Sequence, residues 1–200
     1  TMYDIIPDIH GQYDKLKACL EGLGYHHRDG AWRNVDPSRT VIFLGDFIDR
    51  GHRNGDVLKT VREMVEAGTA SAVMGNHELN AIMYHRTDPK TGEPLRRRDE
   101  KNTQQHASFL EEFPLGSDAA NEWIDWMATL PICGEYAGFR VVHACWDQER
   151  VSKLLAFRPD ARLSEDDFVT IADRTHPLCD IVETLTKGPA TRPLVKVTIA

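Results

Sequence analysis

Three short stretches carry residues whose types and spacing could do chemistry. Gly45-Asp46-Phe47-Ile48-Asp49-Arg50-Gly51 sets two carboxylates and a guanidinium between glycines, directly after the apolar run Val41-Ile42-Phe43-Leu44. Acids at the end of an apolar strand are costly unless they bind a cation or pair with another group. A planar guanidinium suits a phosphate, with which it makes two parallel bonds, and glycine lets a ligand approach the backbone. Taken alone, the heptapeptide is equally well read as an ordinary strand-to-helix turn, in which Asp46 caps and Asp49 pairs with Arg50. Asp8-Ile9-His10-Gly11 follows Tyr3-Asp4-Ile5-Ile6, and Gly75-Asn76-His77-Glu78 follows Ala70-Ser71-Ala72-Val73-Met74. Carboxylate, imidazole and amide donors thus recur past three apolar runs, a donor mixture that suits manganese, iron or zinc better than calcium.

The elements that must position these residues alternate. Residues 3–6, 40–44 and 69–74 read as strands; residues 12–22, a segment from Asn54 or Asp56 to Ala67, and residues 77–85 read as helices. The alternation implies an α/β architecture. Residues 25–39 are polar and loop-like, and the adjacent His26 and His27 read as exposed loop histidines. Residues 86–100 are turn-rich; the basic cluster Arg96-Arg97-Arg98 within them reads as a solvated loop balanced by neighbouring acids, or else as a substrate-facing insertion whose positive potential, from Arg96 to Arg98, meets an anionic ligand. Residues 101–113 and 118–129 read as helices with aromatic core faces. A hairpin follows over residues 132–136 and 139–144, with His143 at its end. Short helices are expected at residues 151–157, 168–172 and 181–185, and a last strand at residues 194–199.

Two hundred residues suit one domain with a sizeable core. Hydrophobic content of 41% and charged content of 28% are ordinary for a globular protein, and no apolar run is long enough to span a bilayer. The net charge of −7 argues against a protein that grips nucleic acid by its phosphates. The four cysteines are scattered without a Cys-x-x-Cys pair, which excludes zinc-ribbon and thioredoxin-type readings. With no secretory signal at the start given, a cytoplasmic location is expected.

Gly-Asp-x-x-Asp-Arg-Gly, Gly-Asn-His-Glu and an Asp-x-His-Gly together resemble the calcineurin-like metallophosphoesterases, most closely their phosphoprotein-phosphatase branch, from residue 3 to about residue 146. The stretch from Tyr3 to Tyr25 also looks like bacterial-type diadenosine-tetraphosphate hydrolases. The resemblance implies an α/β (α+β) fold, a central β-sandwich of two mixed sheets flanked by helices, as one domain over residues 1–200 that either lacks its C-terminal portion or has an incomplete second metal site. It implies two divalent metal ions, manganese by preference and iron or zinc as alternatives, held by Asp8, His10, Asp46, Asn76 and His143. By the same resemblance His77 is a general acid, Asp49 orients it, and Arg50 contacts phosphate; a nearby carboxylate favours the protonated imidazole. Arg50, His85, Arg97, Lys101 and His106 are the candidates for substrate contact. The expected activity is hydrolysis of a dinucleoside polyphosphate or small phosphoester, with no membrane partner. The alternatives are a serine/threonine protein phosphatase and a degenerate metal-binding module without catalysis.

Three positions depart from the family pattern. Pro7 stands where a glycine normally precedes the first aspartate, fixing φ and removing an amide donor. Met74 stands where protein-specific phosphatases carry a second phosphate-binding arginine, which moves weight to the dinucleoside polyphosphate reading. No Gly-His pair, the family's last metal ligand, follows His143; the later His176 reads as a helix entry.

Overall fold

A computed structural model describes residues 1–189; the strand expected at residues 194–199 lies outside them. The chain runs β1 (Met2–Ile6), α1 (Tyr13–Gly22), β2 (Tyr25–Arg28), β3 (Ala31–Asn34), β4 (Arg39–Phe43), α2 (Asn54–Glu66), β5 (Ala70–Ala72) and α3 (Asn76–His85). It continues through α4 (Glu100–Gln105), α5 (Ala107–Glu112), α6 (Asp118–Ala128), β6 (Cys133–Tyr136), β7 (Phe139–Val142), α7 (Gln148–Phe157), α8 (Glu165–Ile171) and α9 (Pro177–Lys187).

The central sheet is parallel, in the order β1-β4-β5. Its middle strand carries Val41, Ile42 and Phe43, all fully buried, as a strand covered on both faces must. Alternate residues serve different layers. Val41 and Phe43 join the main core with Leu16 and Leu20 of α1 and Val57, Leu58, Val61 and Met64 of α2. Ile42 faces the other way, into a smaller cluster with Val73 and Val141 of the antiparallel β6–β7 ladder. Tyr3 meets Tyr136 and Phe139 edge-on there, at 5.2 and 5.3 Å between ring centroids. The sheet is therefore covered by helices on one face and by a second β layer on the other, as the α/β sandwich reading expects.

Two local readings are corrected. Residues 25–39 are not simply a loop: β2 and β3 form an antiparallel hairpin in which Tyr25 pairs with Asn34. Asp29 and Gly30 at its tip take φ of 50° and 82°, the conformation a two-residue hairpin turn of the Asp-Gly type requires. The helix expected over residues 101–113 is broken into α4 and α5 at His106, whose side chain is drawn inward. His176 caps α9, its Nδ1 accepting from Leu178 N, in agreement with the helix-entry reading. Among the described residues no helix is long and apolar enough to cross a membrane.

Candidate active site

The three motif stretches begin at the C-terminal ends of β1, β4 and β5, and His143 follows β7. Crevices at such strand ends are where parallel sheets place their ligands. The loops are tied to one another by backbone bonds. Ile9 and His10 both donate to Asp46 O (2.9 and 3.0 Å), Gly11 donates to Phe47 O (2.8 Å), and Gly51 donates to His10 O (2.8 Å). That interlocking holds four non-glycine residues at positive φ: His10 at 48°, Asp46 at 57°, Asp49 at 72° and Arg50 at 75°. Each costs backbone energy that the surrounding packing must supply, and such residues concentrate at functional sites. The loops also approach too closely for side chains: a Cβ on Gly51 would sit 2.3 Å from His10 O, and one on Gly75 2.3 Å from Asp46 Oδ1.

Glu78, wholly buried, is the fastener beneath this assembly. Its Oε1 accepts from Asp46 N (2.6 Å) and Gly75 N (3.0 Å), and its Oε2 from Phe47 N (3.0 Å). Burial, with the charge of Asp46 beside it, pushes its pKa up to about 8, against the pull of these amides. Asn54 does the same work nearby, accepting from Asp49 N (2.9 Å) and donating to Gly51 O (3.2 Å). Sequence reasoning gave Glu78 no role of its own and read Asn54 only as a candidate start of the following helix, where it is the first residue of α2. Glu78 stood in plain view in its motif; its function depends on amides 31 and 32 residues away.

Two groups of donors converge and share Asp46: Asp8, Asp46 and His143 in one, His10, Asp46 and His77 in the other, with ligand atoms of each group within 4.8 Å of one another. Asp8 thus meets His143 as well as His10. The donor set fits divalent cations on the following ground. His10 spends its Nδ1–H on Ile48 O (2.8 Å), which leaves the Nε2 lone pair facing Asp8 Oδ2 and Asp46 Oδ2 at 3.7 and 3.6 Å. His143 likewise donates from Nδ1 to Leu44 O (2.6 Å), and its Nε2 faces Asp46 Oδ2 at 3.2 Å. Asn76 turns its amide oxygen toward Asp46 Oδ1 (3.2 Å), Asp46 Oδ2 (3.1 Å) and His143 Nε2 (3.1 Å). Turned round, the amide would donate to all three; as placed, electron-rich atoms face one another with nothing positive between them, and a cation resolves that arrangement. The appetite of the set for positive charge also shows in His143. Burial would discharge it, but its bond to Asp46 and the charge there outweigh burial and raise its pKa to about 9. Pro7 is exposed and leaves Asp8 on the site, its carboxylate half-exposed.

Behind the donors runs a chain of imidazoles on one carboxylate. His77 Nδ1–H donates to Asp49 Oδ2 (2.6 Å), and His106 Nδ1–H donates to Asp49 Oδ1 (2.7 Å). His106 Nε2 then accepts from His85 Nε2–H (2.9 Å), leaving His85 Nδ1 buried and without a partner. Burial tends to neutralise Asp49, but the bonds from His106 and His77 win and lower its pKa. Burial likewise tends to discharge His77, and the bond to Asp49 with the charge of Asp46 reverses that, so its pKa is raised. Burial and the neighbouring His106 drive His85 down to about 3. Asp49 is therefore an ionised anchor that fixes the imidazole of His77.

Arg50 is exposed and opens on a cleft of about 720 Å³ lined also by Asn76, His77, Asn80 and Arg96. The other residues expected at substrate lie elsewhere. His106 is 4% exposed and His85 is partly buried, both engaged with the Asp49 chain and not lining that cleft. Arg97 lines an adjacent cavity and Lys101 a separate surface depression. Met74 is fully buried, so that position presents nothing to the cleft.

Among proteins of known name, a Bacillus velezensis protein called bis(5'-nucleosyl)-tetraphosphatase PrpE [asymmetrical] is 39% identical over 87 residues, which is 44% of this chain and 34% of that protein. A symmetrical bis(5'-nucleosyl)-tetraphosphatase of Dechloromonas aromatica is 29% identical over 140 residues, 70% of this chain and 42% of its own. Each match thus spans less than half of the relative's length. Among solved structures, the cold-active protein-tyrosine phosphatase of a Shewanella species has a TM-score of 0.55 at 20% identity, covering 92% of this chain and 57% of its own; the likeness is one of fold. The family description calcineurin-like phosphoesterase matches residues 3–189, a span that takes in every strand end of the site and the helices behind them, and the chain belongs to that family.

Proposed function

We propose that the chain is a divalent-metal-dependent hydrolase of phosphoanhydrides, acting on a dinucleoside polyphosphate. The observation that carries the reading is Asp46, whose carboxylate faces both His10 Nε2 and His143 Nε2, beside Asn76 and His77, which line a cleft with Arg50. Asp8, His10, Asp46, Asn76 and His143 would hold two divalent cations, manganese by preference, with iron or zinc as alternatives. The chemistry that such ions would supply when bound there is activation of a water nucleophile and neutralisation of phosphoryl charge. The remaining work falls to the chain. Arg50, without an ion pair to any described residue, binds the phosphoryl oxygens and stabilises charge that grows on them. His77, kept protonated and aimed by Asp49, gives its proton to the leaving oxygen. Glu78 and Asn54 hold Asp46 and Asp49 in register. The relatives' names supply the substrate class, and the buried Met74 agrees with it, since the second arginine of protein-specific phosphatases has no counterpart there. The same reading treats the chain as one phosphoesterase domain.

The test is hydrolysis of para-nitrophenyl phosphate, its bis-ester and diadenosine tetraphosphate, with and without manganese. Metal-dependent turnover with the tetraphosphate preferred is expected. A preference for the monoester would redirect the substrate class toward phosphatases. No turnover, together with metal binding at one equivalent or less, would leave a metal-binding module.

A further inference from the structure

Arg96 is the best-placed cation that the site has not used. Its backbone is stapled to the end of α3: Arg96 N donates to Met83 O (2.8 Å) and Leu95 N to Arg86 O (2.9 Å). The helix that begins with Asn76 and His77 therefore also fixes where Arg96 stands. The guanidinium is aimed as well, since its Nη2 donates to Asn102 Oδ1 (2.9 Å). Asn102 cannot turn freely, because its own N donates to Asp99 Oδ1 (2.8 Å) and its Nδ2 to Arg97 O (2.8 Å).

What Arg96 lacks, among the described residues, is an ion-pair partner. Its one hydrogen-bond partner is a neutral amide, and it forms no ion pair with any described residue, whereas the nearby Arg86 pairs with both Asp125 and Glu165. Burial, and then the charge of Arg174, work against its charged form and outweigh the charges of Glu183, Asp99 and Asp49, so its pKa is lowered. A half-buried cation held beside another cation is costly unless an anion joins them. Arg96 also stands where two cavities meet. It lines the cleft of about 720 Å³ with Arg50 and His77, and a neighbouring cavity of about 240 Å³ with Arg97, Arg174 and the Lys187–Glu183 ion pair, so that arginines outnumber unpaired acids there. Positive potential thus continues away from the reacting end in one direction.

We infer that Arg96, aimed by Asn102, is a second phosphate subsite that holds a phosphate farther along a polyphosphate chain than the one under attack. It gives the site a preference for linear phosphoanhydride chains over monoesters, and it rests on the hydrolase reading above for its place in a reaction. A planar fork on a phosphate is worth more than a point charge, so lysine is an incomplete substitute.

The experiment is calorimetric titration of the full chain with tripolyphosphate and with orthophosphate, in metal-free buffer so that neither is consumed or chelated. The wild type should bind tripolyphosphate at least about ten-fold more tightly than orthophosphate. Arg96→Gln should erase that preference and Arg96→Lys should keep part of it. Asn102→Asp, which offers the guanidinium a carboxylate in place of the phosphate, should erase it without removing the arginine. In parallel, Arg96→Gln should lower the ratio of kcat/KM for diadenosine tetraphosphate over para-nitrophenyl phosphate by about ten-fold, chiefly through KM. No preference in the wild type, a preference untouched in Arg96→Gln, or an unchanged kcat/KM ratio would overturn the subsite. A chain that hydrolyses nothing yet shows the Arg96-dependent preference would sink the hydrolase reading and leave the subsite standing.

Discussion

At the residue scale, most of the chemistry depends on groups that never face substrate. Glu78 accepts three amides that belong to two different loops, so its replacement unfastens both. Glu78→Gln removes a carboxylate acceptor and turns an NH2 toward those donors. It should destabilise the fold by about 1–3 kcal/mol in a denaturant titration and lower turnover with it. His85 gives a pH signature. Its folded pKa of about 3 lies below the ordinary histidine value of 6.5, so the unfolded chain takes up a proton that the folded chain refuses. Stability is therefore unaffected by this group above pH 6.5 and is lost as pH falls from 6.5 toward 3. The slope reaches at most about 1.4 kcal/mol per pH unit and is less where water touches the ring. Urea unfolding at pH 7 and pH 5 should show a larger loss for the wild type than for His85→Gln; equal losses would mean that His85 is not buried as a neutral ring.

At the scale of elements, the site is a set of strand ends pulled together by glycine. Gly75→Ala forces a methyl into Asp46, with neither the backbone nor the carboxylate free to yield. Overpacking of that kind costs about 1–3 kcal/mol, and here it should also abolish metal-dependent turnover, read by assay beside a thermal melt. A variant that melts early but keeps full activity per folded molecule would show that the loops tolerate separation. The strand ends were legible in the sequence because each signal is local: an apolar run, then acid, imidazole or amide, then glycine. The three strands of the central sheet, α2 and the β6–β7 hairpin followed from periodicity for the same reason. The β2–β3 hairpin had its local mark, Asp29-Gly30, hidden inside a stretch read as polar loop. The break between α4 and α5 had none. His106 leaves the helix to reach Asp49, 57 residues earlier, and no window of neighbouring residues contains that cause. Arg96 was legible only as one of a basic cluster, read as solvated or as facing substrate; its burial, which singles it out from Arg97 and Arg98, and its want of an ion pair are properties of its neighbours in space.

At the scale of the whole molecule, the layers divide the labour. The helical face of the sheet supplies the main core, while the β6–β7 layer on the other face delivers His143 to a site whose remaining donors come from the loops after β1 and β4 and from the start of α3. A cation bound between them ties the two layers and should stabilise the native state by mass action, by about 2.7 kcal/mol at a hundred-fold excess over Kd. The melting temperature should therefore rise with manganese, and the rise should shrink in His143→Ala. The account stands most directly on Asp46, the one carboxylate common to both donor groups. The measurement is manganese-dependent hydrolysis of diadenosine tetraphosphate by the wild type and by Asp46→Asn. Turnover that requires the metal and falls by at least about a hundred-fold in the variant is the predicted result. Turnover that is indifferent to the metal, or that survives the loss of the Asp46 charge, would contradict it.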